Sequence, residues 1–206
     1  MAAARGRPGS MTPCSGAGAD DFLGTDRLFK RSLEQHNRYQ DVGAAGLSGD
    51  WAAEPIALFG RNSLSGTFDT FKEAVLRRGE FKDEVKQQPG SETVVQVVAN
   101  DKFAIGYSGI GFLTEGVRAV PLAAPQNRKC YDPSAESAYS GDYPLARYLR
   151  LYLNKKPDQP VDPLIADFIR FVLSKDGQLL AIKSGFYPVP NATRLLKSLG
   201  ISGDAS

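Results

Sequence analysis

Histidine is nearly absent: the 206 residues contain one, His36, in the polar stretch EQHNRYQ. Ser-His-Asp or Cys-His catalysis would have to run through it, and nothing around it suggests such a machine. His36 therefore reads as a surface residue. Cysteine is almost as scarce. Cys14 and Cys130 fall short of the roughly four Cys or His ligands of a structural zinc site. No metal site, cofactor or catalytic residue is expected. Cys14 and Cys130 could form one disulfide, although Cys14 lies in a stretch that reads as unstructured, and the sequence alone leaves their state open. There is no run of about 18 apolar residues, so no segment reads as a transmembrane helix. Neither sign of charge prevails, with 25 Lys and Arg against 23 Asp and Glu. Basic residues come in short pairs, Arg77-Arg78 and Lys155-Lys156, which read as solvated faces. A nucleic-acid binder shows a basic stripe, so no nucleic acid is expected as a partner.

The first twenty residues, MAAARGRPGSMTPCSGAGAD, are rich in Gly, Ala, Ser and Pro. They lack the apolar core of at least about seven residues that marks a secretory signal. The expectation for 1–20 is disorder. TDRLFKRSLEQHN could form a short helix capped by Thr25. From there the signals sharpen. PIALFG (Pro55–Gly60) is a short apolar run ended by glycine and reads as a buried strand. A helix is predicted from about Gly66 to Arg78, with Ser65 as N-cap, Phe68, Phe71 and Val75 on its apolar face and Gly79 as its stop. GSETVVQVVAND is two-sided: four valines favour a strand, while Ser91 after Pro89-Gly90 favours a helix start. FAIGYSG and VRAVPL read as strands, the second closed by Pro121.

Beyond a polar stretch at 123–142, ARYLRLYLN alternates leucines with Tyr148, Arg150 and Tyr152, the period of a strand. Asp162-Pro163 opens a strong helix with Ile165, Phe168, Ile169 and Val172 as its buried stripe. KDGQLLAIKSG reads as a helix ending near Gly185. NATRLLKSLG reads as a last short helix between Asn191 and Gly200. Strands alternating with helices predict an α/β layered fold.

One segment carries chemistry: FGRNSLSGTFDTF, Phe59 to Phe71. The first N–H groups of a helix have no partner within it, and the helix dipole makes that end partly positive. A strand, a loop of small residues and a helix start together form an anion seat. Ser65 and Thr67 offer hydroxyls, and Gly66 leaves the backbone bare. Arg61 adds a permanent cation whose planar fork fits two oxygens of a tetrahedral oxyanion. The expected ligand is phosphate-like. Ordinary capping by Ser-Gly-Thr is the alternative. The segment is not a nucleotide P-loop, since no lysine precedes Thr67, and SLSGT is not the G-x-S-x-G of a serine nucleophile.

Five segments in order resemble the substrate-binding proteins of bacterial phosphate ABC importers (PstS-like): LFGRNSLSGTFDTFKEAVL, GSETVVQVVANDKFAIGYSGIGF, VRAVPL, YSGDYPLARYLRLYLNKKP and DPLIADFIRFVLSKDGQLLAIKSGFYPVP. The resemblance implies a two-lobed periplasmic-binding-protein type II fold that holds phosphate in the cleft between lobes. By position it matches the family's arginine to Arg61 and its Ser-Gly-Thr to Ser65, Gly66 and Thr67. It also implies a helix at the valine-rich stretch. Some relatives carry an acid two residues after the arginine; here that position is Ser63. The chain resembles mainly the second lobe, about 51–145, and the C-terminal segment returning to the first lobe, about 146–206. The rest of the first lobe is expected to be missing, and with it the aspartate that accepts the proton of phosphate.

The implied function is phosphate receptor of an ABC import system, impaired by that loss. The implied partner is the importer's membrane permease, the implied location the periplasm or cell envelope, and the intact family member is expected to be a monomer. The alternatives are an enzyme acting on phosphate esters and a fragment without ligand. The stripe of the Asp162 helix and the alternating strand are expected to bury against the first-lobe sheet. Without that sheet their apolar surface is left exposed or is covered by residues 21–50.

Overall fold

The computed structural model describes residues 2–5, 41, 49–50, 52–123, 129–156 and 159–201. Its strands are β1 (Ala2–Arg5), β2 (Ala57–Arg61), β3 (Lys86–Gln88), β4 (Ala104–Tyr107), β5 (Val117–Ala119), β6 (Leu122–Ala123) and β7 (Cys130–Tyr131). Its α-helices are α1 (Gly66–Ala74), α2 (Ser91–Asn100), α3 (Ala135–Ser140), α4 (Pro163–Leu173), α5 (Lys175–Lys183) and α6 (Ala192–Ser198). The chain divides into two compact units, 1–147 and 148–206.

In the first unit, five strands form one sheet in the order β3-β2-β4-β1-β5. β2 pairs parallel with both β3 and β4, and β1 runs against its neighbours β4 and β5. Successive residues of a strand point to opposite faces. Leu58 accordingly joins Phe71, Leu76, Tyr107 and Tyr143 on the face covered by α1. Phe59 joins Val94, Val95 and Val98 of α2 on the other face. The result is a three-layer α/β/α unit. Gly106 permits the close seat of α2, because a Cβ there would stand 3.1 Å from both Val94 Cγ1 and Val98 Cγ2. Four valines thus belong to a helix after all, as the resemblance implies. Their β-propensity yields to burial against the sheet.

Several expectations are corrected. Ala2–Arg5, expected to be disordered, is a strand. Its pairing is made by main-chain groups, which satisfy the facing edges of β4 and β5 whatever the side chains. α1 stops at Ala74 rather than Arg78, because Arg77 and Arg78 take left-handed φ values of 49° and 67° and Gly79 is not the stop. Residues 146–154 are not a strand, and no described strand pairs with them. An alternating pattern without a partner ladder is not enough to make one. The state of Cys130, open in the sequence, is a disulfide. The short helix around TDRLFKRSLEQHN, His36 and Cys14 lie outside the described residues.

The second unit packs α4, α5 and α6. Asp162 caps α4 by accepting from the amides of Leu164 and Ile165. The buried stripe is Ala166, Ile169 and Leu173, which meet Leu196 and Ile201. Of the predicted stripe, Ile169 alone is fully buried, while Ile165 and Phe168 are exposed. The stripe is rotated because the described core of this unit lies toward α6. Gly185 and Gly200, both at positive φ, end α5 and α6. Among the described residues no helix is long and apolar enough to cross a membrane.

Candidate anion seat at the sheet edge

β2 and β3 are parallel neighbours, so the loops leaving their C-terminal ends emerge at one edge of the sheet. The helices that follow, α1 and α2, both begin there. In open α/β sheets this edge is where ligands bind. Arg61 is the last residue of β2, in register with Gln88 at the end of β3. The chain then turns: the Asn62 amide donates to Gln88 O and the Ser65 amide to Asn62 O, at 3.2 and 3.1 Å. This turn delivers Ser65 as the N-cap of α1, where its Oγ accepts from the Thr67 amide at 3.1 Å.

The capping does not exhaust the donors. Ser65 is buried, yet its hydroxyl proton has no acceptor among the described residues. The amide of Gly66 and the hydroxyl of Thr67 likewise have no partner there. Of these donors only the Ser65 hydroxyl is buried, where an unmet proton is unusual; Thr67 is half-buried. Gly66 is exposed, and a Cβ added to it would meet a single group, Arg147 Nη2, at 3.5 Å.

Arg61 is held from the α2 side. Its Nη1 donates to Ser91 Oγ at 2.7 Å and its Nη2 to Pro89 O at 3.0 Å. Its Nε is buried with no hydrogen-bond partner. Among the described residues no carboxylate pairs with it, and none of its hydrogen bonds goes to Ser65, Gly66 or Thr67. A guanidinium has five N–H donors; two are used here, the Nε proton is shut away from solvent, and the remaining two have no acceptor among the described residues. Ser91 is itself tied down, since its carbonyl accepts from Ser108 Oγ at 2.9 Å. Beneath the arginine lies Tyr107, whose hydroxyl donates to Arg61 O at 3.4 Å. Burial pushes this phenol well above its usual pKa and outweighs the opposing influence of the Arg61 charge. The ring fits because residue 60 is glycine: a Cβ there would lie 2.7 Å from Tyr107 Cε1.

The structure thus places Arg61 at the same sheet edge as Ser65, Gly66 and Thr67, but anchors it at the mouth of the neighbouring helix. Two residues escaped the sequence reading. Ser91 is visible there only as a helix start, because its bond to Arg61 spans thirty positions. Arg147 is hidden in a stretch whose alternation suggests a strand.

Comparison with known proteins agrees with this architecture. The chain is 47% identical over 167 residues to the phosphate-binding protein PstS of Pseudomonas aeruginosa, covering 79% of this chain and 52% of that protein. It is 28% identical to the phosphate-binding protein PstS of Staphylococcus haemolyticus, covering 83% of this chain and 52% of that one. The chain therefore spans about half the length of these curated relatives. Two crystal structures share the fold. A possible phosphate binding protein from Planctomyces limnophilus superposes with a TM-score of 0.65 at 21% identity, over 97% of this chain and 68% of that one. An ABC-type phosphate transport receptor from Vibrio cholerae superposes with a TM-score of 0.55 at 16% identity, over 82% of this chain and 63% of that one. A family model described as a PBP superfamily domain matches residues 28–176, more than half of the chain, and the protein belongs to that superfamily.

Proposed function

We propose that the chain carries one half of a phosphate seat: Arg61, Ser65, Gly66 and Thr67 bind inorganic phosphate at the C-terminal edge of the β3-β2-β4 sheet. The observation that carries this is the set of idle donors at the mouth of α1, beside an arginine held by neutral oxygens. An oxyanion supplies the acceptors they lack. In this reading the first unit corresponds to the second lobe of a periplasmic binding protein, and 148–206 to the segment returning to the first lobe. The relatives are named for phosphate binding rather than for a reaction, which favours a receptor over an enzyme acting on phosphate esters. A receptor of this kind serves an ABC import system in the cell envelope and hands phosphate to a membrane permease.

The half-seat alone binds weakly. Micromolar affinity requires about −8 kcal/mol, and a hydrogen bond to a charged group contributes roughly 1.5–3 kcal/mol when water is excluded. A seat open to solvent loses much of that to screening and to the entropy of association. The test is an amide chemical-shift titration of the 206-residue chain with inorganic phosphate, at constant ionic strength, in wild type and Arg61→Gln. Saturable millimolar shifts centred on Ser65–Thr67 and lost in Arg61→Gln are expected. No shifts in wild type would sink the proposal. Micromolar saturation would show that the seat is not half-open.

A further inference from the structure

We infer that Arg147 is a second cationic ligand of the same anion, closing the seat from the side of Gly66; this rests on the phosphate reading above. Arg147 Nη2 is the one group that a Cβ on Gly66 would meet within 4 Å, at 3.5 Å. Gly66 opens α1 and carries an idle amide. A cation is therefore set against the positive end of a helix, the end where a carboxylate or phosphate is favoured and an arginine is not. Among the described residues Arg147 has neither an ion pair nor a hydrogen bond to account for this position. Asp69, the acid in the first turn of α1, is exposed and is not its partner.

Arg147 is exposed, so water screens this approach of like signs, and an anion seated between the two turns a weak repulsion into attraction. Ser65 strengthens the case independently, since its buried hydroxyl at the same mouth has a proton to give and no acceptor. Arg61 and Arg147 would then hold the guest from two sides, Arg61 fixed on Ser91 and Pro89 and Arg147 free until the guest arrives. A pair of guanidiniums selects charge as well as shape, so Arg147 favours the dianion of phosphate over the monoanion.

The experiment repeats the phosphate titration with Arg147→Gln and Arg147→Lys, at pH values on either side of phosphate's second ionisation and at several salt concentrations. Arg147→Gln is expected to weaken binding about five- to twentyfold where phosphate is a dianion, and less where it is a monoanion. It is also expected to flatten the salt dependence, while Arg147→Lys recovers part of the loss. The preference for the dianion is the decisive readout, since a merely structural role would weaken both ionic forms alike. Wild-type binding that Arg147→Gln leaves intact, or weakens equally for both forms, overturns this inference and spares the proposal for Arg61. Absence of phosphate shifts in wild type overturns both.

Discussion

Arg61 Nη1 donates to Ser91 Oγ at 2.7 Å, so the last residue of β2 is fastened to the first turn of α2. Some members of the family that the sequence resembles place an acid two residues after this arginine. Here that position is Ser63, and a hydroxyl from a different element takes over the steadying.

Replacing Ser91 by alanine should therefore loosen Arg61 without unfolding the chain. The Pro89 carbonyl still holds Nη2. A loss of about 1 kcal/mol is expected from one such hydrogen bond, roughly a three- to tenfold weakening of phosphate binding. Calorimetry or the amide titration measures it, with the thermal midpoint as control. Unchanged affinity would mean that Pro89 suffices.

Gly60→Ala tests the packing beneath the seat. Its Cβ would fall 2.7 Å from Tyr107 Cε1 and 2.9 Å from the hydroxyl oxygen. The ring is sandwiched by Phe71, with centroids 4.1 Å apart, and has little room to retreat. Overpacking of this kind costs about 1–3 kcal/mol. Denaturant unfolding should show that loss, and should show much less of it when Tyr107 is first reduced to alanine, because the two changes share one contact.

Helix 66–74 and the Asp162-Pro163 helix could be read from the sequence because their starts are local: a capping side chain, or a proline, announces them. The Arg61 end of β2 and the Ser65 cap of α1 were legible for the same reason, being one short segment. What stayed hidden was set by distant partners. The left-handed Arg77 and Arg78 end α1 before its glycine. The alternation at 146–154 has no described ladder to join, and β1 pairs by main chain alone. Ser91 meets Arg61, and Arg147 approaches Gly66, across long stretches of sequence that no periodicity encodes.

Tyr107 predicts an alkaline effect. Its phenol is raised by burial above its unfolded value, so the stability tied to the protonated ring is complete below about pH 10. As pH rises past that point the unfolded chain gives up the proton and the folded chain keeps it, and stability falls. Urea unfolding above pH 10 should steepen in wild type and be less steep in Tyr107→Phe. Equal slopes would show that the ring titrates freely in the fold.

On α4, Leu164, Ile165, Phe168 and Phe171 are 78%, 37%, 55% and 50% exposed and line an open depression of about 510 Å³. Apolar patches of this kind are uncommon on isolated monomers. The chain should self-associate as its concentration rises, and Phe168→Glu should suppress this while α4 keeps its helicity. Sedimentation velocity decides, and a clean monomer at high concentration would contradict the expectation.

The oxygens that fasten Arg61 belong to an alcohol and a peptide group, neither of which ionises across the ordinary aqueous range. The arginine cannot be switched off by mild acid, as it could be if a carboxylate latch had to stay ionised. Its hold is constant, and if it binds phosphate as proposed, any acid–base rhythm in that contact comes from the anion.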